Sequence, residues 1–344
     1  MRYLTFSGRS KSLPFAVRVA VLSVAATSAC ASQYALTRRP TAEVPELVWF
    51  SPPVASDRVS LARWERVVGP PVVRMPRTAS AVVPDRLVLV SWNTALGRGD
   101  APALLADLAR DYPGRDVVLL LQEVYRTGLG PLPPAQDHGY GRRHGGHGGD
   151  VVDIADRLVM NAYYVPSMRN GSPEASNQDR GNAILTTLPL RDLTAMELPY
   201  ERQRRVAVAA TVRLRSRANR LLDLRLVSAH LDNRVGARRL WFPGGLFARA
   251  RQARALVDVL RGDEAAVLAG DFNSWFGFGD LAVRETLGVF PDTPLTDGRP
   301  TFRNLLRLDH VFVRLPDGWR TAARRAPRRY GSDHWPLVAT IDAH

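Results

Sequence analysis

The chain has 344 residues, of which 45% are hydrophobic and 23% are charged, so it has enough apolar sequence for a large core and is not disordered throughout. Its formal net charge of +14 suggests an anionic partner such as nucleic acid, a phospholipid surface or a phosphate ester. Lys11 is the only lysine, so the excess of arginine fits a bias in coding composition as well as selection for binding.

The first 30 residues have the pattern of an export signal. A basic start with Arg2, Arg9 and Lys11 precedes an apolar run of about a dozen residues, which is too short to span a bilayer as a stable helix. Cys30, the only cysteine, ends that run and fits either the lipidated cysteine of a bacterial lipoprotein or an ordinary signal-peptidase site. We expect residues 1–30 to direct export, to a periplasmic, membrane-anchored or extracellular destination.

Residues 31–84 are rich in proline and contain one helical stretch, SDRVSLARWERVVG. Its apolar residues recur at helical spacing on one face: Leu61, Trp64, Val67 and Val68. We expect this segment to be a lead-in that packs on the main domain, which we assign to residues 85–344.

From residue 86, buried strands and amphipathic helices alternate, which predicts an α/β or α+β layer fold. RLVLVSW and DVVLLLQEV are predicted strands, and Pro102 opens the helix APALLADLARD between them. The Gly/His-rich stretch at 138–149 is more typical of a linker than of a metal site. The later predicted elements, in chain order, are GNAILTT, RRVAVAATVRL, LLDLRLVSAHL, the helix GLFARARQARALVDVLRG, AAVLAGDF, LDHVFVRL and PLVATI.

Polar residues stand at the ends of six of these strands. Any one of these residues alone would be typical of a turn, an exposed surface position or a core position with its hydrogen bonds satisfied. Their recurrence at strand ends favours a shared site, because ligands bind at strand ends in layered α/β folds. The residues are Asn93, Glu123, His230, Asp271, Asn273, Asp309, Asp333 and His334.

These residue types indicate a particular chemistry. Carboxylates and amides without cysteine are hard oxygen ligands, which favour Mg²⁺ or Mn²⁺ over zinc. Histidines beside carboxylates transfer protons near neutral pH. A hard metal ion with His–Asp pairs suits the hydrolysis of a phosphate ester, since the ion neutralises phosphate oxygens while an acid and a base serve the leaving oxygen and the attacking water.

The order of the motifs resembles the endonuclease/exonuclease/phosphatase superfamily over roughly residues 86–342. The motifs are SWN, QE, RGNAIL, SAHL, GDFN, LDHVFV and GSDHWPL, of which GDFN and SDHWPL are the most specific. The resemblance implies a DNase I-like fold, a four-layer α/β/β/α sandwich of two mixed β-sheets flanked by helices. It places the site at one edge, where both sheets present loops.

The resemblance also implies roles for single residues. Glu123 would be the principal ligand of a Mg²⁺ or Mn²⁺ ion, helped by Asn93 and, depending on the number of ions, Asp333. Asn93 would also contact substrate. Arg180 in RGNAIL would approach the phosphate, or else pair with a neighbouring acid such as Asp179.

The catalytic residues implied by the resemblance are two acids, an amide and two imidazoles. Asp271 and Asn273 would position or activate water beside the scissile phosphate. Asp309 would orient His334, which would contact phosphate or move a proton. His230 would act as the acid for the leaving oxygen.

Two departures from the patterns of subfamilies narrow the range of expected substrates. Ala95 stands where apurinic endonucleases of the superfamily usually carry an acid, and His230 where they place a tyrosine. Repair of abasic DNA is therefore disfavoured. A histidine at that strand end makes this sequence more similar to those of secreted DNases and sphingomyelinases. Asn170 in MRNG is a further candidate substrate contact.

The leading hypothesis is an exported, Mg²⁺-dependent phosphodiesterase of nuclease type, supported by the net charge and by the basic stretches RRAPRR and GARRLWFPGG. The first alternative is a sphingomyelinase-like phospholipid phosphodiesterase, in which the aromatic segments LWFPGG and SWFGFGD either contact a bilayer or pack beneath the rim of the site. A phosphatase of small esters and a binding-only protein of this fold are further alternatives. No feature of the sequence indicates a protein partner.

Overall fold

The computed structural model describes residues 35–39, 47–76, 83–127, 149–169, 178–233 and 241–344, with the backbone alone for 241–244. The expected export signal, Cys30, Asn170 and nearly all of the Gly/His-rich stretch lie outside the described residues. Among the helices that are described, none is long and apolar enough to cross a membrane.

The described part of the chain contains fourteen β-strands and five α-helices. In chain order they are β1 (Thr37–Arg39), β2 (Val48–Ser51), α1 (Ala55–Glu65), β3 (Val72–Arg74), β4 (Arg86–Asn93), α2 (Ala101–Asp111), β5 (Asp116–Arg126), α3 (Val151–Arg157), β6 (Asn161–Arg169), β7 (Asp179–Thr186), β8 (Arg191–Glu197), β9 (Val206–Arg215), β10 (Leu221–His230), α4 (Trp241–Val259), β11 (Ala265–Asp271), α5 (Leu281–Leu287), β12 (Asp309–Arg314), β13 (Trp319–Arg325) and β14 (Leu337–Ala343).

The strands form two mixed sheets of seven strands each. The first sheet has the order β1-β2-β8-β9-β10-β11-β12, and the second has the order β13-β14-β4-β5-β7-β6-β3. In the first sheet β10 runs parallel to β11, and in the second β4 runs parallel to β5. Each parallel pair brings two carboxyl ends to the same sheet edge, and those ends carry the predicted site residues.

The central strands are buried on both faces, as their nearly continuous apolar sequences predict. In β4, Leu87 and Leu89 lie in the core between the two sheets, whereas Val88 and Val90 pack in the outer core against α2 and α3. Burial of each such side chain contributes about 1.5–3 kcal/mol to stability. The alternation shows why this strand needs a sheet on one side and helices on the other.

Helices cover the outer face of each sheet. The Asp100 side chain accepts a hydrogen bond from the Ala103 N–H (3.0 Å) at the start of α2, and Leu104 and Leu108 of this helix pack on the second sheet. Apolar residues of α4 and α5, such as Leu256, pack on the outer face of the first sheet. The predicted four-layer α/β/β/α sandwich is confirmed.

The proline-rich segment at 31–84 contributes to both sheets. Its helix α1 buries Leu61 and Trp64, as the helical spacing predicts. The segment also supplies strands that the sequence did not predict: β2 pairs in parallel with β8, and β3 pairs antiparallel with β6. This part of the lead-in therefore extends both sheets in addition to packing on them.

Gly270 marks a close approach of β10 and β11 directly before the site. Its φ is +152°, and a Cβ atom at this position would lie 1.8 Å from the Ala229 carbonyl oxygen. Since that oxygen belongs to the backbone of the neighbouring strand, it has no flexible side chain to move out of the way. Glycine is therefore required at the start of GDFN.

We expect Gly270→Ala to lower the free energy of unfolding by about 2–4 kcal/mol, because the strands must separate or the backbone must strain. Urea unfolding monitored by circular dichroism measures the change. Gly262→Ala is the matched control, since no atom lies within 4 Å of a Cβ atom at that position. Equal stability of both variants would contradict this explanation.

Candidate active site

The site lies where strand ends of the two sheets meet. Asn93 ends β4 in the second sheet, and its Nδ2 donates a hydrogen bond to Oδ2 of Asp271, which ends β11 in the first sheet (2.9 Å). Ser228 of β10 makes a second connection between the sheets, because its hydroxyl accepts from Gln122 Nε2 (2.9 Å) and donates to the Leu121 carbonyl (2.9 Å). All of these side chains are buried, so the strand ends are fixed relative to one another.

Two imidazoles flank Asp271. His334 Nδ1 lies 2.8 Å from Asp309 Oδ2, and its Nε2 lies 3.8 Å from Asp271 Oδ2. His230 Nε2 lies 3.4 Å from the same Asp271 oxygen. All four side chains are buried. The structure therefore brings together four of the predicted catalytic residues.

The fifth predicted catalytic residue, Asn273, holds Asp271 in place. Its backbone N–H donates to Asp271 Oδ1 (2.9 Å), and its Nδ2 donates to the Leu231 carbonyl oxygen (2.9 Å). The backbone of Asn273 has a φ of +48°, which is uncommon for a residue other than glycine and is typical of constrained functional positions. With Asn93 on the other oxygen, both oxygens of Asp271 have a donor that fixes their direction.

Hydrogen bonds to the end of β4 position the backbone of His334. The His334 N–H donates to Ser332 Oγ (3.0 Å), and that hydroxyl donates to the Asn93 carbonyl (2.7 Å). Trp92 Nε1 donates to the His334 carbonyl (3.2 Å). Ser332 and Trp92 were not among the predicted site residues, although they stand inside the motifs GSDHWPL and SWN.

The charges of the cluster depend on one another. Burial lowers the pKa of His334, but the carboxylates of Asp309 and Asp271 raise it by more, so that its pKa is about 10. Burial raises the pKa of Asp271 to about 7, although the nearby His334 charge opposes this change. Near neutral pH the imidazole of His334 is therefore positively charged against Asp309.

Glu123 lies in a shallow pocket beside this cluster. Its backbone has a φ of +51°, and the pairing of β5 with β7 shifts register between Leu121 and Val124, so the chain bulges at this residue. Among the residues that the structure describes, none forms a hydrogen bond or ion pair with its carboxylate. The pocket is lined by Glu123, Ser167, Met168, Arg180, Gly181, Asn182, Arg205 and His230.

Two side-chain oxygens at this edge fit a divalent metal ion. The Glu123 carboxylate is a hard oxygen donor without a partner in the described part of the chain, and Asn93 on the neighbouring strand pairs in register with Gln122, the residue before Glu123. The Asn93 side-chain oxygen accepts one hydrogen bond, from the Ala95 N–H (3.0 Å), and retains a second lone pair. These two residues would hold a Mg²⁺ or Mn²⁺ ion.

Asp333 differs from the other predicted ligands. Its Oδ2 lies 3.2 Å from the Arg303 guanidinium, and its side chain is partly exposed. A second group of possible ligand atoms, from Asp271, Asp309 and His334, lies within 4.8 Å. In this second group the Nδ1 atom of His334 already contacts Asp309 (2.8 Å), so only its Nε2 atom faces Asp271.

Arg180 also lines the pocket, and its side chain is buried, with Nη2 3.1 Å from Met168 Sδ. The neighbouring Asp179 accepts hydrogen bonds from the Tyr164 hydroxyl (2.5 Å) and the Gly69 N–H (2.8 Å). Asp179 is therefore held by other donors, and the contact of Arg180 with substrate stays a prediction. Arg205 lines the same pocket and was not singled out in the sequence, where it is one arginine among many.

We expect Asp309→Asn to lower the pKa of His334 by about 1 to 3, because the variant removes the nearest carboxylate. The titration of the imidazole Cε1–H resonance by NMR, in EDTA, measures this change. The raised pKa also predicts that His334 stabilises the fold fully below about pH 6.5 and that this contribution is lost as the pH rises towards 10. This loss should be smaller in Asp309→Asn.

Asp317→Asn, at an exposed turn, is the control and should leave the titration unchanged. The same His334 midpoint in Asp309→Asn and in the wild type would show that Asp309 does not keep the imidazole charged.

Comparisons with known proteins agree with the geometry. The model of the Endonuclease/Exonuclease/phosphatase family matches residues 90–334. An endonuclease/exonuclease/phosphatase from Beutenbergia cavernae has the same fold, with a TM-score of 0.54 and 17% identity over 75% of this chain and 72% of that one. A 3'-5' exonuclease from Neisseria meningitidis is less similar, with a TM-score of 0.45 and 16% identity over 74% of this chain and 100% of that one.

A UPF0294 protein from Vibrio cholerae is 40% identical over 93 residues, which are 26% of this chain and 32% of that protein. The match thus covers about a third of the length of that relative. The family model covers most of this chain, and the resemblance seen in the motifs is confirmed. The chain belongs to the endonuclease/exonuclease/phosphatase family.

Proposed function

We propose that the protein is a divalent-metal-dependent phosphodiesterase that hydrolyses nucleic acid outside the cytoplasm. The observation that carries the proposal is the placement of Asp271 between His230 and His334, together with the Glu123 carboxylate, for which no partner is found among the described residues. A metal ion held by Glu123 and Asn93 would neutralise phosphate oxygens and stabilise the charge that develops on them. The proposed location rests on the export pattern of residues 1–30, with lipidation or cleavage at Cys30 both open.

The residues of the chain divide the proton transfers between them. Asp271, whose pKa burial raises to about 7, is suited to accept a proton from the attacking water near neutral pH. The His334 imidazolium, kept charged by Asp309, would donate a hydrogen bond to a phosphate oxygen and so stabilise the transition state. His230, on the other side of Asp271, would protonate the leaving oxygen.

The basic surface gives less support to a nucleic-acid substrate than the sequence suggests. In RRAPRR, Arg324 donates to Asp111 (3.0 Å), Arg325 donates to the Pro300 carbonyl (2.7 Å), and Arg328 pairs with Asp107. The stretch GARRLWFPGG lies almost wholly outside the described residues. The nuclease proposal therefore rests on the site and on the net charge of the chain.

A second candidate substrate, a phospholipid, is favoured by exposed aromatic side chains. In the segment SWFGFGD, Trp275, Phe276 and Phe278 are 46%, 48% and 41% exposed. The segment begins directly after Asn273 of the site, and Ser274 Oγ donates to the Arg307 carbonyl (2.9 Å). Exposed aromatic rings beside arginine are typical of proteins that contact the lipid–water interface, where the rings bury and the cation meets phosphate.

We expect Glu123→Gln and His334→Ala each to lower turnover by about 10²- to 10⁴-fold without loss of folding, because each removes a group that acts on the reacting phosphate. The assay supplies supercoiled plasmid and sphingomyelin vesicles in parallel, with Mg²⁺ or with EDTA. Metal-dependent nicking of plasmid supports the nuclease, and release of choline phosphate from intact vesicles supports the phospholipid alternative.

Glu285→Gln is the control for Glu123→Gln, since Glu285 of α5 forms a half-exposed ion pair with Arg254 of α4. Wild-type turnover in a folded Glu123→Gln variant, or activity that EDTA does not affect, would contradict the proposed role of the metal site.

A separate experiment tests the aromatic segment. If the protein acts on lipid, Trp275→Ala combined with Phe276→Ala should weaken binding to sphingomyelin vesicles by at least about 10-fold, because burial of each ring contributes about 1.5–3 kcal/mol. Sedimentation with the vesicles measures binding, and Leu295→Ala, at a position that is 93% exposed, is the control. Unchanged binding in the double variant would contradict the interpretation of these aromatic side chains as a lipid contact.

A further inference from the structure

Arg205 directly precedes β9, and its side chain is only 7% exposed. Its Nε lies 3.6 Å from Asp232 Oδ1, which is longer than a normal hydrogen bond, and this Nε has no hydrogen-bond partner. Within the described parts of the chain, the guanidinium has no side-chain partner other than Asp232. Its Nη1 and Nη2 atoms likewise form no hydrogen bond within the described residues, so their four N–H donors are available to an acceptor in the pocket.

The preceding residue, Arg204, shows what a purely structural arginine looks like at this place. Its guanidinium pairs with Glu197 (2.8 Å) and donates to the Pro166 carbonyl (2.8 Å), and the group is fully buried. The two adjacent arginines thus have opposite surroundings. Arg204 is held by protein acceptors on several sides, whereas Arg205 has one distant carboxylate behind it and the pocket in front of it.

Asp232 is fixed in a way that orients Arg205. It is buried, and its Oδ2 accepts a hydrogen bond from the Arg202 N–H (3.3 Å). Its own N–H donates to Gln252 Oε1 (2.8 Å), which ties it to α4. Asp232 stands two residues after His230, so the strand end that supplies an imidazole to the site also supplies the carboxylate behind Arg205.

A largely buried guanidinium with a single carboxylate at 3.6 Å is poorly compensated by the protein, so an anion in the pocket would stabilise it. The planar fork of an arginine matches the oxygens of a phosphate group, and charged hydrogen bonds of this kind are strong in a buried pocket. Arg205 shares its pocket with Glu123 and His230, which lie at the proposed reaction centre. A phosphate oxygen is the acceptor whose chemistry suits this position.

We propose that Arg205, oriented by Asp232, binds the phosphate of the substrate at the mouth of the small pocket lined by Glu123 and His230. This inference rests on the proposed function to the extent that it assigns the phosphate to a substrate. The guanidinium would offer two parallel N–H donors to the phosphate, while Asp232 keeps it facing the pocket. Asp232 is then a positioning residue, which acts through Arg205.

Binding of inorganic phosphate tests the inference without any turnover, so a failure of the proposed reaction would not affect it. The melting temperature of the full chain is measured against phosphate concentration in the presence of Mg²⁺, for the wild type, Arg205→Gln, Arg205→Lys and Asp232→Asn. We expect half-saturation to require about 10- to 100-fold more phosphate in Arg205→Gln, as for the loss of hydrogen bonds between charged groups. Arg205→Lys should be intermediate, because it keeps the charge and loses the fork.

Arg213→Gln is the control, since Arg213 pairs with Asp223 on the surface and should leave phosphate binding unchanged. With a hydrolysed substrate, Arg205→Lys should raise KM by a larger factor than it lowers kcat, which a merely structural role would not produce. The inference would be overturned if Arg205→Gln, Arg205→Lys and the wild type required the same phosphate concentration for half-saturation. So would the absence of any phosphate-dependent stabilisation in the wild type.

A crystal of the wild-type protein soaked with tungstate decides the question if the variants do not fold, because the removal of one partner of a buried ion pair is destabilising. Tungstate within hydrogen-bond distance of the Arg205 guanidinium would support the inference. Tungstate bound elsewhere in the pocket, away from Arg205, would overturn it.

Discussion

The site depends on the hydrogen bond between Asn93 and Asp271, because these residues end strands of different sheets. The core between the sheets sets their separation, and the parallel pairs β4–β5 and β10–β11 set which strand ends lie side by side. Gln122 and Ser228 add a second polar connection between the sheets. The catalytic geometry is thus a property of how the two sheets pack, and each sheet alone carries only part of it.

Two buried carboxylates serve the site in the same manner, each by holding a cation. Asp309 lies behind His334 and keeps its imidazole charged, and Asp232 lies behind Arg205 and orients its guanidinium. Buried ion pairs add little net stability compared with apolar residues of similar size. Their presence at two points of one edge is therefore better explained by function than by folding. Together they supply positive charge where a phosphate would bind.

The sequence predicts the layers and the edge of the site because the apolar strands alternate with helices and because polar residues end the strands. It did not predict β1, β2 or β3, since strands of three or four residues in a proline-rich segment carry no usable alternation. The sequence also did not predict which groups the charged residues contact. Adjacent Arg204 and Arg205 look equivalent in sequence, and only tertiary contacts show that one is satisfied and the other is not.

We propose that residues of both sheets form one metal-dependent site, with the ion at Glu123. The most direct test is a crystal structure of the protein with Mn²⁺, in which the anomalous signal locates the ion. We predict one strong peak in the pocket, bonded to the Glu123 carboxylate, with the Asn93 side-chain oxygen as a further ligand. A peak among Asp271, Asp309 and His334 instead, or none at an ion concentration that supports activity, would contradict the account.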